Sequence, residues 1–108
     1  MKVLTPGHKY HLEHFENGDK QGYPLCEILQ FIHKEPSKLR PKELVTVHDG
    51  TTNEEVLRVL IDRMNYLQEK FPCRENAIVI TKLEESLMWL NKRTEDRKAR
   101  NVEGMQLA

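Results

Sequence analysis

The chain has 108 residues, the length of one small domain, in which folding buries about two-thirds of the extended-chain surface. Seventeen basic and seventeen acidic side chains cancel, which argues against a nucleic-acid-coating protein because such proteins carry a basic excess. No apolar run approaches the length of a membrane span. The composition therefore predicts a soluble protein whose partners include neither DNA, RNA nor a membrane.

The cysteines and the N-terminus predict a cytoplasmic location. Cys26 and Cys73 lie in unlike contexts without metal-ligand spacing, so reduced thiols are favoured over a disulfide framework. The first ten residues, MKVLTPGHKY, contain no apolar segment of an export signal.

The first 50 residues have the pattern of three short strands joined by turns. The strands are predicted at residues 8–15, with Tyr10 and Leu12 on one side, at 25–33 and at 43–48. Turn and loop signals separate them: Pro6-Gly7, Asn17-Gly18-Asp19 with a polar loop to Pro24, a proline- and lysine-containing loop at 34–42, and Asp49-Gly50. Three such strands predict a small antiparallel sheet that needs a helix to cover one face.

Two helices are predicted after residue 50. The first spans residues 52–70, with Thr52 as N-cap and Glu55 reaching back in a capping box. Its apolar residues recur at steps of three and four: Leu57, Leu60, Met64, Leu67 and Phe71. The proline of Phe71-Pro72 ends it, because proline disfavours helical geometry in the preceding residue.

The second helix is predicted over residues 73–100, opened by Pro72 and closed by Asn101 in a left-handed cap with Val102 in contact. Its core face carries Ala77, Ile80, Leu83, Leu87 and Leu90. At 1.5 Å per residue the helices are about 28 Å and about 40 Å long, so the second overhangs an antiparallel hairpin by roughly two turns. The overhang, residues 91–100, carries five basic and two acidic side chains.

Several apolar side chains lie off the seam of this hairpin. If exposed, they would form a patch of the kind that marks an association surface, and we therefore expect a homo-oligomer. They are Val56, Val59, Ile61, Ile78, Val79, Met88 and Trp89.

A second stripe on the long helix has two interpretations. It consists of Lys82, Ser86, Trp89, Arg93, Arg97 and Arg100. One aromatic ring followed by guanidinium groups suits a base and its phosphates. Spacing alone favours the structural interpretation, in which Trp89 packs against the fold and the arginines form a solvated helix end, because cations near a helix C-terminus are stabilised by the helix dipole.

The sequence contains no nucleophile motif, phosphate loop or paired-cysteine metal site. His8 and His14 would share one strand face about 20 Å apart, with His11 on the other face, so they do not converge on a metal. Glu84 and Glu85 point in different directions from a helix. We therefore expect neither an enzyme nor a cofactor.

The segment KFPCRENAIVITKLEESLMWLNKRTEDRKARNVEG resembles small phage proteins of the anti-CBASS and anti-Thoeris hairpin-domain family. The resemblance covers residues 51–104 through DGTTNEEV, FPCRENA, TKLEESLMWL, KRTEDR and VEG, and residues 8–50 are similar to the N-terminal strands of some members (GHKY-L-x-x-F and LQFI). Known nucleotide-signal sponges share the pattern R-x-x-A-I-x-x-T-x-L-x-x-x-x-M-x-L, here Arg74 to Leu90.

The resemblance implies an oligomer, typically a hexamer, of helical hairpins in the cytoplasm of an infected bacterium. Such proteins sequester cyclic oligonucleotides or cyclic ADP-ribose isomers, made by bacterial immune enzymes, in pockets between protomers without cleaving them. The chain departs from the family at Asn101, where most relatives have glycine, and in the tail, where EGMQLA replaces EGTH or EGKH. Asparagine tolerates the left-handed conformation, so the cap is expected to survive.

A protein that sequesters a cyclic nucleotide needs hydrogen-bond donors to the phosphates, surfaces on which bases stack and polar groups that bind base edges. Arg74 lies in the first turn of the long helix, where free N–H groups add to anion affinity. The further candidates are Asn76 and Thr81 for base edges, Lys82, Arg93 and Arg97 as cations, and Phe71, Tyr66 or Trp89 for stacking.

Each candidate also has a structural interpretation. Arg74 would pair with Glu75 or Asp62, Thr81 would bond to its own helix backbone, and Phe71 would close the hairpin as a hydrophobic staple.

The sequence thus predicts an α+β fold in one domain: a small three-stranded antiparallel sheet (residues 1–50), a long antiparallel two-helix hairpin (51–104) and a tail (105–108). The predicted function is sequestration of a cyclic nucleotide signal. One alternative is a phage protein-interaction module that shares the hairpin but binds no nucleotide. Another is a nucleic-acid regulator that uses Arg93, Arg97 and Arg100, which the neutral charge disfavours.

Overall fold

The computed structural model describes residues 1–16 and 26–101. The chain forms two compact units, one made of residues 1–35 and 45–51, the other of residues 36–44 and the helical region from residue 52.

The first unit contains a three-stranded antiparallel sheet. Its strands are β1 (Lys2–Thr5), β2 (Lys9–Glu13) and β3 (Cys26–Gln30), in the order β1-β2-β3. Val3 lies opposite Tyr10, and Tyr10 lies opposite Leu29, so these three side chains share one face of the sheet. The predicted turn at Pro6-Gly7 joins β1 to β2: the His8 N–H donates to the Thr5 carbonyl at 3.0 Å, and Gly7 has a φ of 77°.

A two-stranded sheet of β4 (His33–Pro36) and β5 (Leu44–His48) follows. The α+β class and a three-stranded antiparallel sheet are confirmed, but the predicted membership of that sheet is wrong. The strand predicted at 43–48 pairs with β4 instead. β4 begins at the last residue of the predicted 25–33 strand and extends into the predicted loop. The third strand of the larger sheet is β1. The predicted Asn17-Gly18-Asp19 turn and its loop lie outside the described residues.

Gly50 holds two backbone segments of the first unit close together. The Ile32 N–H donates to the Thr51 carbonyl at 2.8 Å, and the Thr51 N–H donates to the Gln30 carbonyl at 2.9 Å. A Cβ atom on Gly50 would lie 2.5 Å from the Gln30 carbonyl oxygen and 2.6 Å from the Phe31 carbonyl carbon. Only glycine therefore allows this approach without a shift of the backbone.

We expect Gly50→Ala to lower the free energy of unfolding by about 1–3 kcal/mol, the usual cost of overpacking. Urea unfolding would measure the loss, and hydrogen exchange should show reduced protection of the Ile32 and Thr51 amides. Thr46→Ala, a substitution at an exposed strand residue, serves as the control. Wild-type stability and amide protection in Gly50→Ala would show that the two segments separate at no cost.

The second unit contains the helices α1 (Asn53–Lys70) and α2 (Arg74–Ala99), which form the predicted hairpin. Thr52 is the N-cap of α1 and its hydroxyl accepts from the Glu55 N–H at 3.2 Å, as predicted. The Glu55 carboxylate does not complete the capping box; it lies 3.4 Å from Arg58 Nη1. Asn101, at a φ of 56°, adopts the predicted left-handed conformation after α2. The predicted contact with Val102 lies outside the described residues.

The seam between the helices is displaced from the predicted one on α1. Leu57, Met64 and Leu67 are half-buried as predicted, but Leu60 is exposed and Ile61 is half-buried in its place. On α2 one stripe at alternating steps of four and three is buried or half-buried: Asn76, Ile80, Leu83, Leu87, Leu90, Thr94 and Arg97. Ala77, which was also predicted for the core face, is exposed. Ile80, with 9% exposure, is the most buried apolar side chain of the described residues.

Most of the off-seam apolar residues of the hairpin are exposed in a single chain. They include Val59, Ile78, Val79, Met88 and Trp89. Trp89 is 57% exposed, so the prediction that it packs against the rest of the fold is wrong for one chain taken alone. No helix within residues 1–16 and 26–101 combines the length and the apolar character needed to cross a membrane.

Candidate functional site

The connection between the helices fixes the position of the α2 N-terminus. Cys73 is the N-cap of α2, and its Sγ accepts from the Asn76 N–H at 3.4 Å. The Gln68 side chain makes two hydrogen bonds to the backbone of Cys73 in this connection. Its Oε1 accepts from the Cys73 N–H and its Nε2 donates to the Cys73 carbonyl, both at 3.0 Å. Nothing in the sequence marks Gln68 for this role, since an amide in the last turn of a helix carries no distinctive pattern.

Three predicted ligand residues line one cleft of about 280 Å³ on the exposed face of α2. We call it the N-terminal cleft; its lining residues are Arg74, Ala77, Ile78, Thr81 and Lys82. Their steps of three and four place them on one side of the helix. The cleft thus combines two cations, one hydroxyl and an apolar floor that includes Ile78, which the sequence analysis assigned only to association.

The polar groups of the N-terminal cleft differ in how they are already engaged. Arg74 is exposed and, among the described residues, makes no ion pair, so the predicted alternative of pairing with Glu75 or Asp62 is wrong. Lys82 Nζ lies 4.0 Å from Glu85 Oε2, an exposed and therefore weak pair. The Thr81 hydroxyl donates to the Ala77 carbonyl at 3.1 Å, as its structural interpretation predicted, and keeps only its acceptor capacity for a ligand.

A second cleft of about 200 Å³ lies further along α2. We call it the C-terminal cleft; its lining residues are Trp89, Lys92, Arg93, Asp96 and Arg100. The indole of Trp89 and the guanidinium of Arg93 come together here, as the stripe in the sequence suggested. Lys92 Nζ and Asp96 Oδ2 form an ion pair at 2.9 Å, which leaves Arg93 as a cation of this cleft without a carboxylate among its lining residues.

Four predicted ligand residues line neither cleft. Asn76 belongs to the half-buried seam of α2, and Phe71 is 75% exposed, so it does not act as the predicted staple. Arg97 is buried at 9% exposure, which makes the prediction of a solvated arginine end wrong at that position. The ring of Tyr66, a candidate for stacking, is covered by Lys70 Nζ at 5.0 Å from its centroid.

The two clefts are far apart along one helix. Arg93 follows Arg74 by nineteen positions, which corresponds to about 28 Å at the rise of an α-helix. A ligand the size of a cyclic dinucleotide is much shorter than this, so within one chain it contacts one cleft only. A site that uses residues of both clefts must take them from two copies of the chain.

The histidines are placed for local contacts. His8 stacks on His33 with ring centroids 3.8 Å apart, and His14 Nε2 lies 3.1 Å from Glu27 Oε1. Within residues 1–16 and 26–101, no group of three or more His, Cys, Asp or Glu side chains is placed to hold a metal ion.

Comparison with known proteins places the hairpin among phage proteins. The family model for the "Acb2/Tad1, hairpin domain" matches residues 30–95, which include the whole N-terminal cleft. "Thoeris anti-defense 1" of Bacillus phage SBSphiJ7 is 56% identical to the chain over 63 residues, covering 56% of the chain and 44% of that protein. The chain therefore matches less than half of the length of this relative.

Proposed function

Because the chain belongs to the Acb2/Tad1 hairpin-domain family, we propose that it is a phage anti-defence protein that holds cyclic nucleotide immune signals between its subunits without cleaving them. The ligand class is a cyclic oligonucleotide or a cyclic ADP-ribose isomer, and the place of action is the cytoplasm of the infected bacterium. The observation that carries the proposal is the N-terminal cleft, which lies in the segment matched to the family and presents Arg74 without an acidic partner among the described residues.

The chemistry of the N-terminal cleft suits a phosphodiester. Arg74 presents a planar fork of donors that matches phosphate oxygens, and Lys82 adds a second cation. Arg74 is also the first residue of α2, where the helix dipole and free backbone N–H groups favour an anion. The apolar side chain of Ile78 between these groups offers a surface for a base or ribose.

The C-terminal cleft supplies what the N-terminal cleft lacks. The exposed indole of Trp89 is a stacking surface. The guanidinium of Arg93, four residues further along the same face, can donate hydrogen bonds to a phosphate. Aromatic stacking on a base contributes about 1–3 kcal/mol. Assembly of several copies would allow the cation-rich cleft of one subunit to act together with the indole of another.

Self-association is the second part of the proposal. The hairpin exposes a set of large apolar side chains, and soluble monomers rarely leave such a set uncovered. The proposed state is a homo-oligomer, with a hexamer as the expected size. Light scattering at micromolar concentration should therefore give a mass well above the 12.8 kDa of one chain, and a mass of one chain would contradict this part.

Sequestration rather than cleavage is supported by the groups that line the clefts. Hydrolysis of a phosphodiester needs an activated nucleophile, a general base or a metal. The hydroxyl of Thr81 in the N-terminal cleft already donates to the helix backbone, and the Asp96 carboxylate in the C-terminal cleft is paired with Lys92. Bound ligand should therefore be released unchanged.

A thermal-shift panel of cyclic dinucleotides, cyclic trinucleotides and cyclic ADP-ribose isomers tests the proposal. A ligand present at one hundred times its Kd should stabilise the protein by about 2.7 kcal/mol. Heating the loaded sample and analysing the supernatant by mass spectrometry should return the intact cyclic compound. A linearised product would make the protein an enzyme, and the absence of any shift would favour the protein-interaction alternative.

A further inference from the structure

An apolar groove with an acidic rim lies along the hairpin, next to the C-terminal cleft, with which it shares Lys92. It has a volume of about 610 Å³ and we call it the acidic groove; its lining residues are Ile61, Glu84, Leu87, Met88, Asn91, Lys92 and Glu95. Ile61, Leu87 and Met88 form the apolar part. The Lys92 ammonium is neutralised by Asp96 at 2.9 Å. Glu84 and Glu95 make no ion pair among the described residues, so the rim keeps two uncompensated negative charges.

The loop between β4 and β5 has the complementary character. We call residues 37–43, SKLRPKE, the basic loop. Leu39 at its tip is 93% exposed and is flanked by Lys38, Arg40 and Lys42. Arg40 Nη1 lies 3.5 Å from Glu43 Oε1, whereas Lys38 and Lys42 make no ion pair among the described residues.

The basic loop is held in one conformation by its own hydrogen bonds. The Ser37 hydroxyl accepts from the N–H groups of Leu39 and Arg40, both at 3.3 Å. The Ser37 N–H donates to the Glu43 carbonyl, and the Glu43 N–H donates to the Arg40 carbonyl, both at 2.8 Å. A preformed loop that exposes a leucine loses little conformational entropy when it binds, which favours association.

We propose that the basic loop of one copy inserts Leu39 into the acidic groove of a second copy, with Lys38 and Lys42 facing Glu84 and Glu95. The almost complete exposure of Leu39 shows that it does not occupy the groove of its own chain. The occupant is a second copy because both halves of the contact, an apolar side chain among cations and an apolar groove among carboxylates, are present on this chain. The inference rests on the self-association proposed above and specifies one contact within it.

This contact couples apolar burial to charge pairing. Leu39 leaves water for the apolar floor of the groove, and the unpaired lysines and glutamates compensate each other at its rim. Two copies can exchange this contact reciprocally in a two-fold dimer, or several copies can repeat it head to tail in a closed ring or a filament. Carboxylates at the rim would repel an acidic loop.

The first test is Leu39→Asp, examined by sedimentation equilibrium with Phe15→Asp as the matched control, since Phe15 is also fully exposed and lies outside both features. Leu39→Asp should raise the dissociation constant of self-association at least about tenfold, while Phe15→Asp leaves it unchanged. Equal association of Leu39→Asp and the wild type would overturn the inference and leave the proposed oligomer intact. A monomeric wild type would remove both.

A charge exchange tests the pairing itself. The groove variant carries Glu84→Lys and Glu95→Lys, and the loop variant carries Lys38→Glu and Lys42→Glu. Each variant alone should shift towards the mass of one chain, and an equimolar mixture should regain the wild-type mass, because every loop then meets a groove of opposite charge. A mixture that stays dissociated although both variants keep their helical circular-dichroism spectra would overturn the inference.

Discussion

Arg74→Ala should abolish detectable binding of the cyclic nucleotide that gives the largest thermal shift, while leaving the oligomer intact. Each charge-assisted hydrogen bond contributes roughly 1.5–3 kcal/mol, and a symmetric site between subunits would use Arg74 two or three times. Loss of one such contact corresponds to an affinity about 10- to 150-fold weaker, and loss of two contacts corresponds to an affinity weaker by about 150-fold or more. Isothermal titration calorimetry would measure this change, and light scattering would report the assembly.

The position of Arg74 explains why the effect should be confined to binding. Its side chain is exposed and makes no ion pair among the described residues, so its removal costs the fold little. Arg63→Ala is the matched control, because Arg63 is exposed on α1 and lines neither cleft. Arg74→Lys should retain part of the affinity, since lysine keeps the charge but loses the bidentate geometry. Full-strength binding by Arg74→Ala would remove this residue from the site.

The second large effect is on stability. Ile80→Ala should lower the free energy of unfolding by about 2–5 kcal/mol, because it removes the most buried apolar side chain of the described residues from the centre of the α1–α2 seam. In a chain of this size each kcal/mol corresponds to a change in Tm of about 4–8 °C. Differential scanning calorimetry would give the change in Tm, and urea unfolding would give the free energy.

Ile78→Ala is the matched control for Ile80→Ala. Ile78 is the same residue type on the same helix, but it is 41% exposed and faces away from the seam. Its replacement should cost clearly less in a single chain. Trp89→Ala should likewise lower the free energy of unfolding by less than the roughly 3 kcal/mol expected of a buried tryptophan. If association covers the indole, the loss of stability should grow with protein concentration. Equal losses for Ile78→Ala and Ile80→Ala would contradict the assigned seam.

The sequence by itself determined the two helices and their ends, because those signals are local. Thr52 accepts from an N–H three residues along the chain, and Asn101 reaches the left-handed conformation through its own backbone preference. The apolar steps of three and four placed Ile80, Leu83, Leu87 and Leu90 on the buried face of α2 for the same reason. The sequence also determined that Arg74, Thr81 and Lys82 share one face of α2, since helical spacing alone decides which side chains are neighbours.

Only the tertiary structure decided which strands pair and which side chains are covered. Strand pairing joins residues distant in the chain, so no pattern within 43–48 showed that this strand pairs with β4 while β1 completes the larger sheet. The partner helix and its exact rotation decide that Ile61 is half-buried at the seam while Leu60 is exposed. They also decide that Arg97 is buried and Trp89 is exposed. For the same reason the predicted ligand residues separated into two clefts: the sequence places side chains on a helix face, but the neighbouring surfaces decide which of them remain accessible.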